Sequence, residues 1–222
     1  MQGYISDKIH SIRQEIPDRV NLIAITKQVN TAAMREAYQA GIRDFGENRL
    51  QEALAKQEEL ADLADVNWHF IGHIQKNKAK KVIENFTWIH SVDSLALAQR
   101  MNRLAAEVNL VPKIFLQVKV LPDPNKYGWK AQDLLSDLTQ LDEYESLDIQ
   151  GLMTILPWGL SAIETSEAFK QVAELSRQIK QTDYAHISMS ELSMGMSGDY
   201  QLAIEAGASY IRLGRTIFGE RD

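Results

Sequence analysis

"ITKQVNTAA" spans residues 25–33 and separates two architectures. It follows an apolar, β-branched segment, "VNLIAIT" (20–26), and leads into a helical pattern. An open doubly wound sheet carries a glycine-rich loop after its first strand, where the backbone approaches a dinucleotide. This turn contains no glycine. A closed (β/α)8 barrel needs none there, so the turn points to a barrel.

The rest of the chain repeats the same step. Strands are expected at 42–47, 66–72, 87–92, 113–120, 148–155, 186–192 and 209–214, with helical periodicity between them. Strand starts fall about 21 to 24 residues apart through the first half, one βα unit per step, and more widely around the sixth and seventh strands. The opening "MQGYISDKIHSIRQEI" reads as an amphipathic helix rather than a signal peptide. Asn48 and Ser94 are plausible N-caps, and Gly41 is a plausible helix stop. The expected fold is therefore α/β, a TIM-type barrel with an extra N-terminal helix, in one domain covering 1–222.

Composition narrows the function. The 222 residues are 45% hydrophobic and 24% charged, with a net charge of −6, so nucleic acid and anionic membranes are poor partners. The basic run Lys76–Lys81 reads as a solvated helix face. With no cysteine, disulfides and thiolate metal sites are excluded. No apolar run is long enough to span a bilayer, and a cytoplasmic protein is expected.

Function in a barrel gathers at the C-terminal ends of the strands. Those ends supply Lys27, Glu47 with Asn48, Gly72 with His73, Ser91 with Asp93, Lys119, Met153 with Thr154, Ser190 with Glu191, and Gly214 with Arg215. By position alone, Lys27 is either a snorkelling surface residue or a partly desolvated amine able to form a Schiff base. Asn48 either caps a helix, with Gln51 completing a capping box, or holds a ligand oxygen.

The last two strand ends carry more information. Ser197 precedes the short helix of "GDYQLAIEAG", and Gly214 precedes that of "RTIFGE". Backbone N–H groups at such starts bind phosphate, and barrels place phosphate sites after strands seven and eight. The alternative is that Ser197 is an N-cap and Gly195, Gly198 and Gly214 are turn residues. Arg212 falls within the last strand, where its side chain can enter the barrel and needs an acceptor. A lysine for an aldehyde, a phosphate cradle and an inward arginine together point to pyridoxal phosphate.

Other patterns carry less. His69 and His73 in "HFIGH" lack the zincin glutamate, and no metal site is expected. No nucleophile elbow frames a serine. Trp68, Trp88, Trp129 and Trp158 read as packing residues. Lys126, Tyr127 and Gly128, after the turn "LPDPN" (121–125), read as loop.

Seven stretches carry a family resemblance: "AITK" (24–27), "FGENRLQE" (45–52), "WHFIGHIQKNK" (68–78), "IHSVDS" (89–94), "GLMTI" (151–155), "LSMGMSGDY" (192–200) and "IRLGRTIFG" (211–219). In this order they resemble the pyridoxal phosphate homeostasis proteins, which have a fold-type III barrel similar to the N-terminal domain of alanine racemase. The resemblance implies pyridoxal 5'-phosphate as cofactor and a role in vitamin B6 and amino-acid balance without efficient catalysis. Carried over residue by residue, Lys27 is implied as the Schiff-base lysine, Asn48 as a neighbour of the cofactor ring and Met153 as the barrel-top methionine. Ser197, Gly214 and Thr216 are implied as phosphate ligands, with backbone groups around Arg215, and Arg212 as partner of the pyridine nitrogen. Where the family often has Ser-Lys-Thr-Lys, this chain has Thr26, Lys27, Gln28 and Val29, which removes a second lysine but keeps the first.

Racemases of this fold add a second domain that supplies an opposite-face tyrosine, and this chain ends eight residues after Gly214. A cofactor carrier or regulator, monomeric and able to meet apo enzymes, is therefore expected over a racemase-like enzyme. An always-charged arginine at the pyridine nitrogen points the same way, because it weakens the ring as an electron sink.

Overall fold

The structure is a computed structural model that describes residues 3–123 and 126–220. Pro124 and Asn125, the end of the "LPDPN" turn, lie outside the described residues. Helix α1 (Tyr4–Glu15) precedes strand β1 (Asn21–Ile25). There follow α2 (Thr31–Gln39), β2 (Asp44–Glu47), α3 (Leu50–Glu59), β3 (Asn67–Phe70), α4 (Ala79–Asn85) and β4 (Trp88–Val92). The second half runs α5 (Leu95–Glu107), β5 (Lys113–Val118), α6 (Ala131–Leu141), β6 (Asp148–Thr154), α7 (Ala162–Lys180), β7 (Ile187–Met196), α8 (Tyr200–Glu205), β8 (Tyr210–Leu213) and α9 (Arg215–Phe218).

The strands pair in sequence order, and β1 closes on β8 in parallel register, with Ile23 opposite Arg212 and Ala24 opposite Leu213. This is the (β/α)8 barrel expected from the glycine-free first turn. Alternation along each strand divides the core in two. In β1, Leu22 and Ala24 join the layer beneath the helices, while Ile23 and Ile25 join an inner cluster with Trp88, Phe115, Met153 and Tyr210. Inner positions are not all apolar: His69, His90, Ser193 and Arg212 are buried too.

Local chemistry explains the helix ends. Helix α1 buries Ile9 and Ile12, one turn apart on the same face; such burial contributes roughly 1.5–3 kcal/mol per side chain. Helix α2 ends at Gly41, whose φ of 94° favours glycine. There Ile42 N–H donates to Ala37 O and Gly41 N–H to Tyr38 O, a Schellman stop. Ser94 does precede α5 as its cap residue, although its hydroxyl bonds Asp93 rather than the helix.

Three expectations are corrected. The cap of α3 is Arg49, so Asn48 does not cap and the box with Gln51 does not form. Strand β7 continues to Met196, four residues beyond the expected end, so Ser190 and Glu191 are not at the functional mouth. A register shift there lets Gly151 pair with Glu191, and Met189 adopts φ 46°; a bulge of this kind breaks the alternation that marks strand ends. Trp158 is 89% exposed, in the loop after β6, and packs against no core. Trp88 and Trp129 are buried and Trp68 is partly buried, as packing residues should be.

Candidate functional site

The β1–α2 turn begins with Thr26 and carries half-buried Lys27. Both neighbours of Lys27 are anchored by one buried charge cluster. Lys56, from α3, donates to Thr26 O at 2.7 Å, to Glu47 Oε1 at 2.8 Å and to Glu52 Oε1 at 2.6 Å. The Thr26 hydroxyl donates to Glu47 at 2.6 Å, and the Gln28 N–H donates to Glu52 at 2.6 Å. Gln28 is held at φ 59°, a region that a non-glycine residue occupies only with outside support. Burial pushes the Glu47 carboxyl up, and Lys56 and Thr26 pull it back only in part. Burial also pushes Glu52 up, but Lys56 and the Gln28 N–H outweigh it and leave that carboxyl low.

Asn48 follows β2 and is half-buried. Its Oδ1 is shielded from water and accepts no hydrogen bond within the described residues. An orphan acceptor of this kind costs about 1–3 kcal/mol unless a ligand donor meets it. Gly72 makes the neighbouring turn possible: a Cβ there would sit 2.1 Å from Asn48 O. Ser91 ties the same turn to β4 by donating to Gly72 O at 2.5 Å.

The ends of β7 and β8 meet through Ser197, whose hydroxyl accepts the Thr216 N–H at 3.4 Å. Gly214 is buried and caps the single turn α9, while Arg215 is exposed. Ser197 is not the cap of α8; that position belongs to Asp199, which accepts the Met196 N–H at 2.6 Å. Burial raises the Asp199 carboxyl.

Arg212, two residues before Gly214, is 3% exposed. It donates to Ser193 Oγ and to Thr154 O, each at 2.7 Å. Burial lowers it to about 10, so it stays charged at neutral pH. These two bonds use two of the five N–H groups of a guanidinium. Met153 is fully buried in the inner cluster, alongside partly buried Ile155.

The C-terminal mouth thus joins the Lys27 turn, Asn48, Arg212 and the Ser197–Thr216 contact. It also holds a pair that sequence reasoning did not assemble. His73 Nδ1 lies 3.1 Å from Asp93 Oδ2, and the Tyr127 ring stacks on the imidazole at 3.8 Å. "HFIGH" flagged the histidine, but nothing in the sequence linked it to a loop more than fifty positions later. His69, the other histidine of that motif, points inward and is buried.

Known proteins match the chain along nearly its whole length. The family described as alanine racemase, N-terminal domain, matches residues 3–222. A pyridoxal phosphate homeostasis protein of Synechocystis sp. is 53% identical over 206 residues, covering 93% of this chain and 94% of the relative. The PipY protein of Synechococcus elongatus, solved without PLP, superposes with a TM-score of 0.94 at 50% identity, over 97% of this chain and 100% of that one. The same protein solved with PLP bound superposes at 0.92 and 49% identity, with the same coverage.

Proposed function

The chain belongs to the pyridoxal phosphate homeostasis protein family, and from that premise we propose that it binds pyridoxal 5'-phosphate and buffers or hands on that cofactor. The observation that carries this reading is the placement of Lys27, Asn48, Arg212 and the Ser197–Thr216 contact at one barrel mouth. When bound, the cofactor supplies an aldehyde that condenses with an amine, an aromatic ring with one basic nitrogen, and a phosphate.

Each feature has a counterpart in the chain. Lys27 supplies the amine, on a turn whose flanking residues Thr26 and Gln28 are tied down. Ser197, Thr216 and the backbone of Gly214 and Arg215 supply the phosphate's donors. Asn48 Oδ1 is a buried acceptor in want of a donor. Arg212 donates and never accepts, so it meets a ring nitrogen only as an unprotonated acceptor. Met153 closes the barrel interior near the mouth.

The same arginine favours storage over turnover, because a ring nitrogen kept unprotonated withdraws electrons poorly. The barrel acts as a cofactor-binding domain, monomeric and cytoplasmic, that meets apo enzymes dependent on this cofactor. No helix among the described residues is long and apolar enough to cross a membrane. Transfer is tested by mixing loaded protein with an apo enzyme, against free cofactor at the same concentration. Faster reconstitution than the control supports delivery. Racemase or lyase turnover by the purified protein, lost in Lys27→Ala, supports an enzyme instead. Light scattering that shows a stable dimer contradicts the monomer.

A further inference from the structure

The inner face of the barrel carries a continuous row of polar side chains where such barrels pack branched apolar ones. Asp44, the first residue of β2, lies 2.9 Å from His69 Nε2. His69 Nδ1 lies 2.9 Å from His90 Nε2, and His90 Nδ1 lies 2.7 Å from Ser193 Oγ. Ser193 accepts from Arg212 at 2.7 Å. Five residues from five strands thus link the N-terminal mouth to the arginine below the candidate site.

The chemistry at Arg212 sets the direction of every bond. A guanidinium can only donate. Ser193 is fully buried, and among the described residues the acceptor it touches is His90 Nδ1, so its proton goes there. Turned the other way, the hydroxyl proton would be left without a partner in the core, a cost of about 1–3 kcal/mol. His90 then carries its proton on Nε2 and donates to His69 Nδ1. His69 carries its proton on Nε2 and donates to Asp44, a carboxylate that only accepts. The row is consistent at both ends.

We propose that Ser193, His90, His69 and Asp44 are positioning residues for Arg212, forming a one-directional hydrogen-bond chain in which both imidazoles are Nε2–H tautomers. The proposal rests on the reading above only where Arg212 faces the cofactor ring. Both imidazoles are fully buried, with Trp88 stacked on His69 at 5.9 Å and Phe115 stacked on His90 at 4.5 Å. Burial holds both below the usual histidine range; Asp44 pulls His69 back up, while His69 and Arg212 push His90 further down. The other ionisable groups bearing on the row are Tyr210 beside the two rings, Glu191 on β7 and Asp199 after it. None of them is bonded to an imidazole nitrogen.

Nitrogen-15 spectra of the imidazoles in cofactor-free protein test the chain without reference to function. The expected result is His69 and His90 both neutral and Nε2–H, unmoved between about pH 6 and 8. A proton on Nδ1 of either ring, or titration within that window, overturns the chain. Positioning is tested with pyridoxal 5'-phosphate itself. Ser193→Ala should shift the visible band of bound cofactor and its pH profile, with retention about tenfold weaker. Ser193→Thr, which keeps the hydroxyl, should restore all three. An unchanged spectrum, profile and affinity in Ser193→Ala overturns positioning. Wild-type protein that takes up no cofactor contradicts the proposed function instead, and the imidazole spectra then decide the chain alone.

Discussion

Lys56 Nζ donates to Thr26 O at 2.7 Å, so the ammonium of one lysine holds the peptide immediately before another, Lys27. Glu52 holds the peptide immediately after it, through Gln28. Lys56 is itself paired with two carboxylates, Glu47 and Glu52. Its role is placement.

Lys56→Met should therefore leave Glu47 buried beside an apolar chain. Breaking a buried pair on one side typically costs about 3–5 kcal/mol, and a loss of about 3 kcal/mol is expected here. Urea denaturation at neutral pH reads this directly. A loss below about 1 kcal/mol means that the cluster is not a structural anchor. The variant should also take up pyridoxal 5'-phosphate more slowly, because Lys27 then sits on a looser turn.

The two core histidines predict a pH dependence of stability. Their folded pKa values are depressed, so the unfolded chain binds protons first as pH falls. Their contribution is complete above the unfolded value, near pH 6.5, and is lost below it at no more than about 1.4 kcal/mol per pH unit for each ring, for as long as the folded ring stays neutral. Stability measured by denaturant midpoints should fall between about pH 6.5 and 5. Glu47 and Asp199, whose carboxyls burial raises, gain stability as pH falls, so the check is the slope difference between the wild type and His90→Asn; equal slopes would mean that folded His90 titrates like free histidine.

Arg212→Glu should change the bound cofactor, because a carboxylate stabilises a protonated ring nitrogen whereas a guanidinium does not. It also removes the donors to Ser193 and to Thr154 O, so some loss of stability is expected alongside. The check is the visible spectrum of bound cofactor across pH. If spectrum and profile match the wild type, Arg212 does not face that nitrogen.

Much of this was legible in the sequence. Lys27 follows one short apolar strand and Arg212 lies on another, both at regular spacing, so period-two alternation and the barrel's topology placed them at the mouth and in the interior. Ser190 and Glu191 were misplaced because the bulge around Met189 decouples position from facing. Asn48 reads equally as a cap or a ligand contact because side-chain type alone signals a helix start, but the chain turns one residue later at Arg49. The row from Asp44 to Arg212 was invisible for another reason. Its members lie on β2, β3, β4, β7 and β8, and only ring closure brings them together. His73 and Tyr127 likewise meet only because their loops share a mouth.

Whether Lys27 holds pyridoxal 5'-phosphate at this mouth, as proposed, is decided by one comparison of absorbance. Wild-type protein and Lys27→Ala are each incubated with the cofactor, passed through gel filtration without borohydride, and scanned in the visible range. The wild type should keep a protein-bound band, and Lys27→Ala should lose it while its circular dichroism shows an intact barrel. A folded Lys27→Ala protein that retains a covalent band would contradict the assignment.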